Sequence, residues 1–132
     1  MNGLETVVTN YNTRELLAAC LASIQEHPAN CPTRLTVVDN GSTDGSAAMV
    51  GERFPAARLI AFADNRGYGP ATNRALRELE YEQVLLLNAD TRVTPGCLDA
   101  LCAALAADPG AGVLGPRRSE EHTSELQSRQ VI

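Results

Sequence analysis

Two carboxylates in this chain follow short apolar runs, and that placement gives them chemical interest. Leu35-Thr36-Val37-Val38 leads into Asp39-Asn40-Gly41-Ser42-Thr43-Asp44-Gly45, and Val84-Leu85-Leu86-Leu87 leads into Asn88-Ala89-Asp90. Apolar runs of this length bounded by turn formers read as buried parallel strands, and in open α/β sheets ligands gather outside the carboxyl ends of such strands. Asp39 and Asp90 are therefore expected to face one crevice. Asp39 can accept hydrogen bonds from a ribose hydroxyl or a base N–H, although the same residues suit a plain turn in which it caps the next helix. Asp90 suits a hard divalent cation, Mg2+ or Mn2+, which takes one or two carboxylates and completes its shell with phosphate and water. A calcium loop fits less well, because Gly41 and Thr43 fall at ligand positions and no Glu stands twelfth.

A third segment, Asp64-Asn65-Arg66-Gly67-Tyr68-Gly69-Pro70-Ala71-Thr72-Asn73, is a polar, glycine-interrupted turn entering a helix. Such a loop offers backbone N–H groups and an Arg to a phosphate or sugar. An ordinary glycine turn, with Asn73 on a solvated helix face, accounts for the same residues. Tyr11 is placed either to stack on a base or to cover the sheet edge.

The elements around these residues alternate. Val7–Asn10 reads as a strand, and Thr13–Ile24 as a helix with apolar residues at 16, 17, 20, 21 and 24 and Thr13 or Asn12 as its cap. Strands follow at Leu35–Val38, Leu59–Phe62 and Val84–Leu87. Helices are expected from Asp44 to about Arg53, over Ala71–Leu79, and from a Thr94 cap with Pro95 in its first position to Asp108-Pro109-Gly110. Val113-Leu114 is expected to open a fifth strand. Strands and helices in this order imply βαβ units, so the fold class is α/β, a mostly parallel Rossmann-like sheet flanked by helices.

With 132 residues of which 44% are hydrophobic, the chain can bury the core of a single domain. A net charge of −5, no basic cluster and few aromatic residues argue against nucleic acid as a partner. Cys20, Cys31, Cys97 and Cys102 form no C-x-x-C pair, and free thiols are a better reading than metal ligands. His27 beside Pro28 reads as a surface residue. Neither a signal peptide nor an apolar run of roughly 20 residues is evident. The expected location is the cytoplasm, with peripheral contact to the inner membrane face compatible with it.

In order, Val7-Val8-Thr9-Asn10-Tyr11-Asn12, Val37-Val38-Asp39-Asn40-Gly41-Ser42-Thr43-Asp44-Gly45, Asn65-Arg66-Gly67-Tyr68-Gly69 with Asn73, and Leu87-Asn88-Ala89-Asp90 resemble the family 2 glycosyltransferases of GT-A fold, the rhamnosyltransferase-like branch above all. The resemblance spans about Leu4 to Arg117. It implies an inverting, metal-dependent transfer of sugar from a nucleotide-diphospho-sugar donor to an acceptor hydroxyl on a glycan or lipid-linked acceptor. Asp39 would contact base or ribose, Asn10 and Tyr11 would line the base pocket, Asn65, Gly67 and Asn73 would lie near the diphosphate and sugar, and Asp90 would hold Mg2+ or Mn2+. The family's metal motif is often Asp-x-Asp, whereas Asn88 stands first here.

Family members are usually much longer, and their acceptor-side half supplies a catalytic Asp or Glu that nothing after Asp90 resembles. The expected unit is a donor-binding half, residues 1–117, with no catalytic base and little turnover alone. Residues 118–132 are expected to be a disordered or artefactual tail, polar in composition and, over Arg118–Arg129, similar to the translation of a common sequencing adapter. Two other readings compete. A non-catalytic Rossmann-type nucleotide-binding module is disfavoured by the lack of G-x-G-x-x-G after the first strand. Self-association through an exposed sheet edge is the third reading.

Overall fold

The computed structural model describes residues 3–107, 114–117 and 124–130. Its centre is a four-stranded parallel sheet in the order β3-β2-β1-β4, made of β1 (Leu4–Asn10), β2 (Thr33–Asp39), β3 (Arg58–Ala61) and β4 (Gln83–Asn88). Crossovers pass through helices, which lets parallel neighbours follow one another in sequence. These are α1 (Arg14–Glu26), α2 (Ser46–Arg53) and α3 (Tyr68–Leu76). After β4 come β5 (Thr91–Val93), α4 (Cys97–Ala107), β6 (Leu114–Arg117) and β7 (Ser124–Gln130). The expected α/β class and parallel sheet are what the chain forms.

Successive strand residues point to opposite faces, and the two cores divide accordingly. Val8, Val37, Leu85 and Leu87 face the larger core with Leu17, Cys20 and Leu21 of α1, Met49 and Val50 of α2, and Leu98 and Leu101 of α4. Val7 and Val38 face the smaller core, closed by Ala71 and Ala75 of α3. β1 and the distal half of β2 are covered on both faces, which explains their near-continuous apolar runs. The outer strands are less covered, leaving Leu59 of β3 36% and Leu86 of β4 43% exposed. Leu16, counted in the apolar pattern of α1, faces solvent.

Several element ends differ from the sequence reading. Thr13 occupies the N-cap position of α1 but its hydroxyl donates to Asn10 Oδ1 (2.6 Å), and Asp44 Oδ2 accepts the Arg14 N–H (2.9 Å). For α2, Gly45 (φ 87°) is the cap residue, and the side chain of Asp44 before it accepts the Ser46 N–H at 3.0 Å. α3 begins at Tyr68, with Pro70 in the first turn where its missing N–H costs nothing, and it ends at Leu76. Gly96, at φ 78°, interrupts the helical path, so Thr94-Pro95-Gly96 forms a turn and α4 starts at Cys97. The expected stop at Asp108-Pro109-Gly110, and Val113, lie outside the described residues, although Leu114 does open a strand.

β5 had no sequence signal. Three residues with an exposed Arg92 in the middle carry little pattern, and Ser23 of α1 holds the strand by accepting the Val93 N–H on its hydroxyl (2.9 Å). β7 lies parallel to β5 and antiparallel to β6, whereas composition pointed to disorder there. Strand pairing is made by backbone N–H and C=O groups, so a polar segment can join a ladder without an apolar face. None of the described helices is long and apolar enough to cross a membrane.

Candidate functional site

Strand register brings the singled-out residues to one edge of the sheet. Asn10 at the end of β1 is level with Asp39 at the end of β2, and Thr9 is level with Asn88 at the end of β4. Asp39 and Asn88 therefore flank the central strand, about 10 Å apart across two strand spacings. Asp90 follows in the exposed turn between β4 and β5, and Asn65 and Gly67 lie in the loop after β3.

Asp39 is 2% exposed and is held by neutral donors. Its Oδ1 accepts from Asn10 Nδ2 (2.9 Å) and Ser42 Oγ (2.6 Å), and its Oδ2 accepts the Ser42 N–H (3.0 Å). A carboxylate can accept about four hydrogen bonds, so these three leave room at Oδ2 for one more. Asn10 is 1% exposed. Its side chain lies beside Asp39, with Nδ2 also 3.3 Å from Ser42 Oγ and Oδ1 taken by Thr13, so both of its polar atoms are engaged within the chain. Tyr11, the next residue, is 48% exposed.

The turn after Asp39 is tied back to the turn after Asn10. Asn12, in the left-handed region at φ 50°, donates its N–H to Ser42 Oγ (2.9 Å) and accepts the Thr43 N–H on Oδ1 (2.7 Å). Asp44 joins the two helix starts, and the hydrogen bond from the Ser46 hydroxyl, followed by backbone N–H donors, holds its carboxyl below the usual range.

The third segment hangs on Asn40, which the sequence reading did not single out. Asn40 Nδ2 donates to Asn65 Oδ1 (2.9 Å), Asn40 Oδ1 accepts the Arg66 N–H (2.8 Å), and Asn65 Oδ1 accepts the Gly67 N–H (2.8 Å). Gly41, at φ 80°, allows the approach. A Cβ there would stand 2.4 Å from the carbonyl carbon of Asp64 and 2.8 Å from the Asn65 nitrogen. The Arg66 guanidinium lies 4.4 Å from the centre of the Phe62 ring, and Gly67 (φ 84°) starts α3. Thr9 and Thr72 share a hydroxyl hydrogen bond of 3.1 Å that docks α3 on β1 and leaves Asn73 exposed on the helix.

Asp90 and Asn88 both present exposed side chains, while Ala89 between them is buried and the Thr91 hydroxyl closes the turn on the Asn88 carbonyl (2.8 Å). Among the described residues no group of three His, Cys, Asp or Glu could enclose a metal. An exposed Asp beside an amide oxygen is instead a donor set of hard oxygens for a cation that keeps several waters and shares a diphosphate. Beneath the turn, burial pushes the Cys20 thiol up to about 11, with the negative charge of Asp90 adding to the rise. Asn40 carried a detectable sequence signal only as part of the Asp-Asn-Gly-Ser turn, because its partners lie 25 and 26 residues away.

The comparisons agree with this architecture. An N-acetylglucosaminyl-diphospho-decaprenol L-rhamnosyltransferase of Mycobacterium tuberculosis is 34% identical over 124 residues, 86% of this chain and 40% of the relative. This chain thus spans about two fifths of the length of that curated relative. Among solved structures, the mannosyltransferase PcManGT from Pyrobaculum calidifontis, in complex with GDP-Man and Mn2+, superposes with a TM-score of 0.72 and 29% identity, covering 88% of this chain and 35% of that one. Staphylococcus aureus TarS gives a TM-score of 0.74 at 21% identity, over 92% of this chain and 23% of that one, a likeness of fold. The model of the family described as glycosyl transferase family 2 matches residues 6–130, nearly the whole sequence, and the chain belongs to that family.

Proposed function

We propose that residues 1–117 form the donor-binding part of an inverting, metal-dependent glycosyltransferase that takes a nucleotide-diphospho-sugar and serves a glycan or lipid-linked acceptor. The observation that carries the reading is the register that sets Asp39 and the Asn88-Ala89-Asp90 turn on either side of Asn10 at one sheet edge. Asp39, fixed by Asn10 beside it, accepts a base N–H or a ribose hydroxyl on Oδ2 while Tyr11 covers the base. The loop of Asn65 and Gly67 and the exposed Asn73 face the diphosphate and sugar. Asp90 is the carboxylate ligand of a Mg2+ or Mn2+ ion, with Asn88 beside it. Such a cation, when bound, supplies positive charge to the departing nucleoside diphosphate. No residue of this chain is assigned as the base that deprotonates the acceptor, so the chain alone is expected to bind donor with little or no transfer. Residues 118–132 take no part in the donor site.

The mannosyltransferase PcManGT is in complex with GDP-Man and Mn2+, which supports a cation and a nucleotide-sugar without fixing base or sugar here. Calorimetric titration with uridine and thymidine diphosphates, with and without Mn2+, tests the proposal. The expected result is Mn2+-dependent binding that Asp90→Ala abolishes with its melting temperature unchanged. Binding that ignores both Mn2+ and Asp90, or no binding by a cooperatively folded chain, would overturn it.

A further inference from the structure

We propose that Cys31 and Cys102 are an oxidisable dithiol, a site of reversible disulfide formation whose co-reactant is a small external disulfide such as oxidised glutathione. Closure would staple the segment entering β2 to α4. The two thiols are 71 positions apart in sequence, yet their sulfurs lie 3.9 Å apart, at van der Waals contact. Forming the bond needs the sulfurs to approach to about 2.05 Å, a shift that side-chain rotation can supply where the backbone already holds the two residues together. Contacts next to each thiol tie the two segments. Asn30, next to Cys31, donates its N–H to the carboxylate of Asp99 one turn before Cys102 (2.7 Å), and Pro32 on the other side accepts the Leu4 N–H on its carbonyl (2.9 Å). Pro32 also restricts the residue before it, Cys31, to extended backbone.

Accessibility separates this pair from the other thiols. Cys31 and Cys102 are half-buried, whereas Cys20 is 0% and Cys97 4% exposed. Burial pushes the Cys20, Cys97 and Cys102 thiols alike up to about 11, so exposure and the 3.9 Å contact, not acidity, set the Cys31–Cys102 pair apart.

The exchange balances with one equivalent of the external disulfide. The Cys31 thiolate attacks one sulfur of oxidised glutathione, expels a glutathione thiolate and becomes a mixed disulfide. Cys102 then gives its proton to solvent and attacks Cys31 Sγ, expelling the second glutathione thiolate. Two protein thiols lose two electrons and two protons, and one disulfide is reduced to two thiols. Cys31, flanked by the exposed Asn30 and Pro32, is the thiol that meets the external disulfide first, and burial first, then the proximity of Cys31 and the charge of Asp99, push the Cys102 thiol up to about 11. The contribution of Cys31 to that rise disappears once it is in the mixed disulfide.

Cys31 precedes β2, at the end of the sheet away from Asp39 and Asn88, so the staple closes a long loop without touching the candidate site. Closing a loop of this length restricts the unfolded chain strongly, and the expected rise in melting temperature is at least ~5 °C.

The test incubates the reduced full chain in glutathione buffers of graded oxidised-to-reduced ratio, then alkylates it and measures intact mass, peptide map and melting temperature. The proposal expects an intramolecular Cys31–Cys102 link, alkylation of Cys20 and Cys97 only after denaturation, and the stated thermal shift. It also expects Cys102→Ser to trap glutathione on Cys31 without that shift. A link involving Cys20 or Cys97, a persistent glutathione adduct on Cys31 of the unsubstituted chain, a link between two chains, thiols that stay reduced, or closure without thermal gain would each overturn it.

Discussion

The two ends of the central sheet satisfy their carboxylates in opposite ways. At the amino end Glu5 is 0% exposed and its Oε1 faces Arg34 Nε at 2.8 Å, while Oε2 accepts the N–H groups of Glu80 and of Tyr81, the latter at 3.0 Å. The surrounding charges pair in the same manner, Arg34 with Glu80 at 3.6 Å and Arg58 with Glu78 at 3.0 Å. At the carboxyl end Asp39 and Asp44 are held by amides, hydroxyls and backbone N–H groups. A guanidinium cancels the charge of the acid it bonds, whereas a neutral donor satisfies the lone pairs and leaves the charge in place. One end of the sheet is therefore electrostatically closed, and the other keeps negative charge where a cation or a ligand N–H can use it. Among the described residues, the exposed pairs Asp64–Arg66 at 3.4 Å and Arg14–Glu15 at 3.1 Å are exceptions at the open end, and neither involves Asp39 or Asp44.

If the amino end is purely structural, breaking it should cost the most stability. Glu5→Ala leaves Arg34 and two backbone N–H groups without their acceptor, and urea unfolding should show a loss of about 3 kcal/mol, the low end for a broken buried pair because Arg34 keeps some water contact. The pH dependence follows from the same contacts. Burial alone would raise the Glu5 carboxyl, but the bonds from Arg34, Glu80 and Tyr81 outweigh it and hold the group below its ordinary value of 4.5. A group depressed by folding contributes stability above its unfolded pKa and loses it as pH falls through the folded one. Acid unfolding curves should therefore steepen below about pH 4.5 in the parent, and Glu5→Gln should flatten that portion. An unaltered acid limb in Glu5→Gln would show that the carboxylate is not the group being protonated.

Much of the open end was legible because its signals are local. The apolar runs before Asp39 and Asn88 are strands, the helical spacing of Leu17, Cys20, Leu21 and Ile24 is α1, and Asp39 ends β2 while Asp90 follows β4. What was not legible depends on partners distant in sequence. Asn10 reads as a pocket residue until the register places Asp39 beside it and takes up its amide. Likewise β5 depends on Ser23, seventy positions earlier, and the Cys31–Cys102 contact spans almost the same distance. The start of α3 shifted because Gly67 and Pro70, read as turn residues, fit the first turn of a helix just as well.

At the open end, smaller stability losses should come with larger losses of ligand. Gly41→Ala demands a side chain at φ 80° and places its Cβ against the Asp64 and Asn65 backbone. The strain should cost about 2 kcal/mol in urea unfolding. Relief requires the loop of residues 64–67 to move outward, so uridine diphosphate affinity measured by calorimetry should fall at least tenfold. A destabilised variant that binds as the parent does would detach this loop from the proposed diphosphate site.

Asn40 separates the loop from the rest of this end most sharply, since it holds Asn65 and Arg66 without touching Asp39 through its side chain. Asn40→Ala removes one donor and one acceptor from a partly buried cluster, and an unfolding loss of about 1 kcal/mol is expected. Asn40→Asp keeps the acceptor for the Arg66 N–H but turns a carboxylate oxygen toward Asn65 Oδ1, where two acceptors repel. If the loop carries the diphosphate, both variants should weaken binding of uridine diphosphate several-fold more than binding of uridine, because the base end, fixed by Asn10 and Ser42, is unchanged. Equal losses for the two ligands would instead make Asn40 a support of the whole sheet edge, and the division between a base end and a phosphate loop would fall.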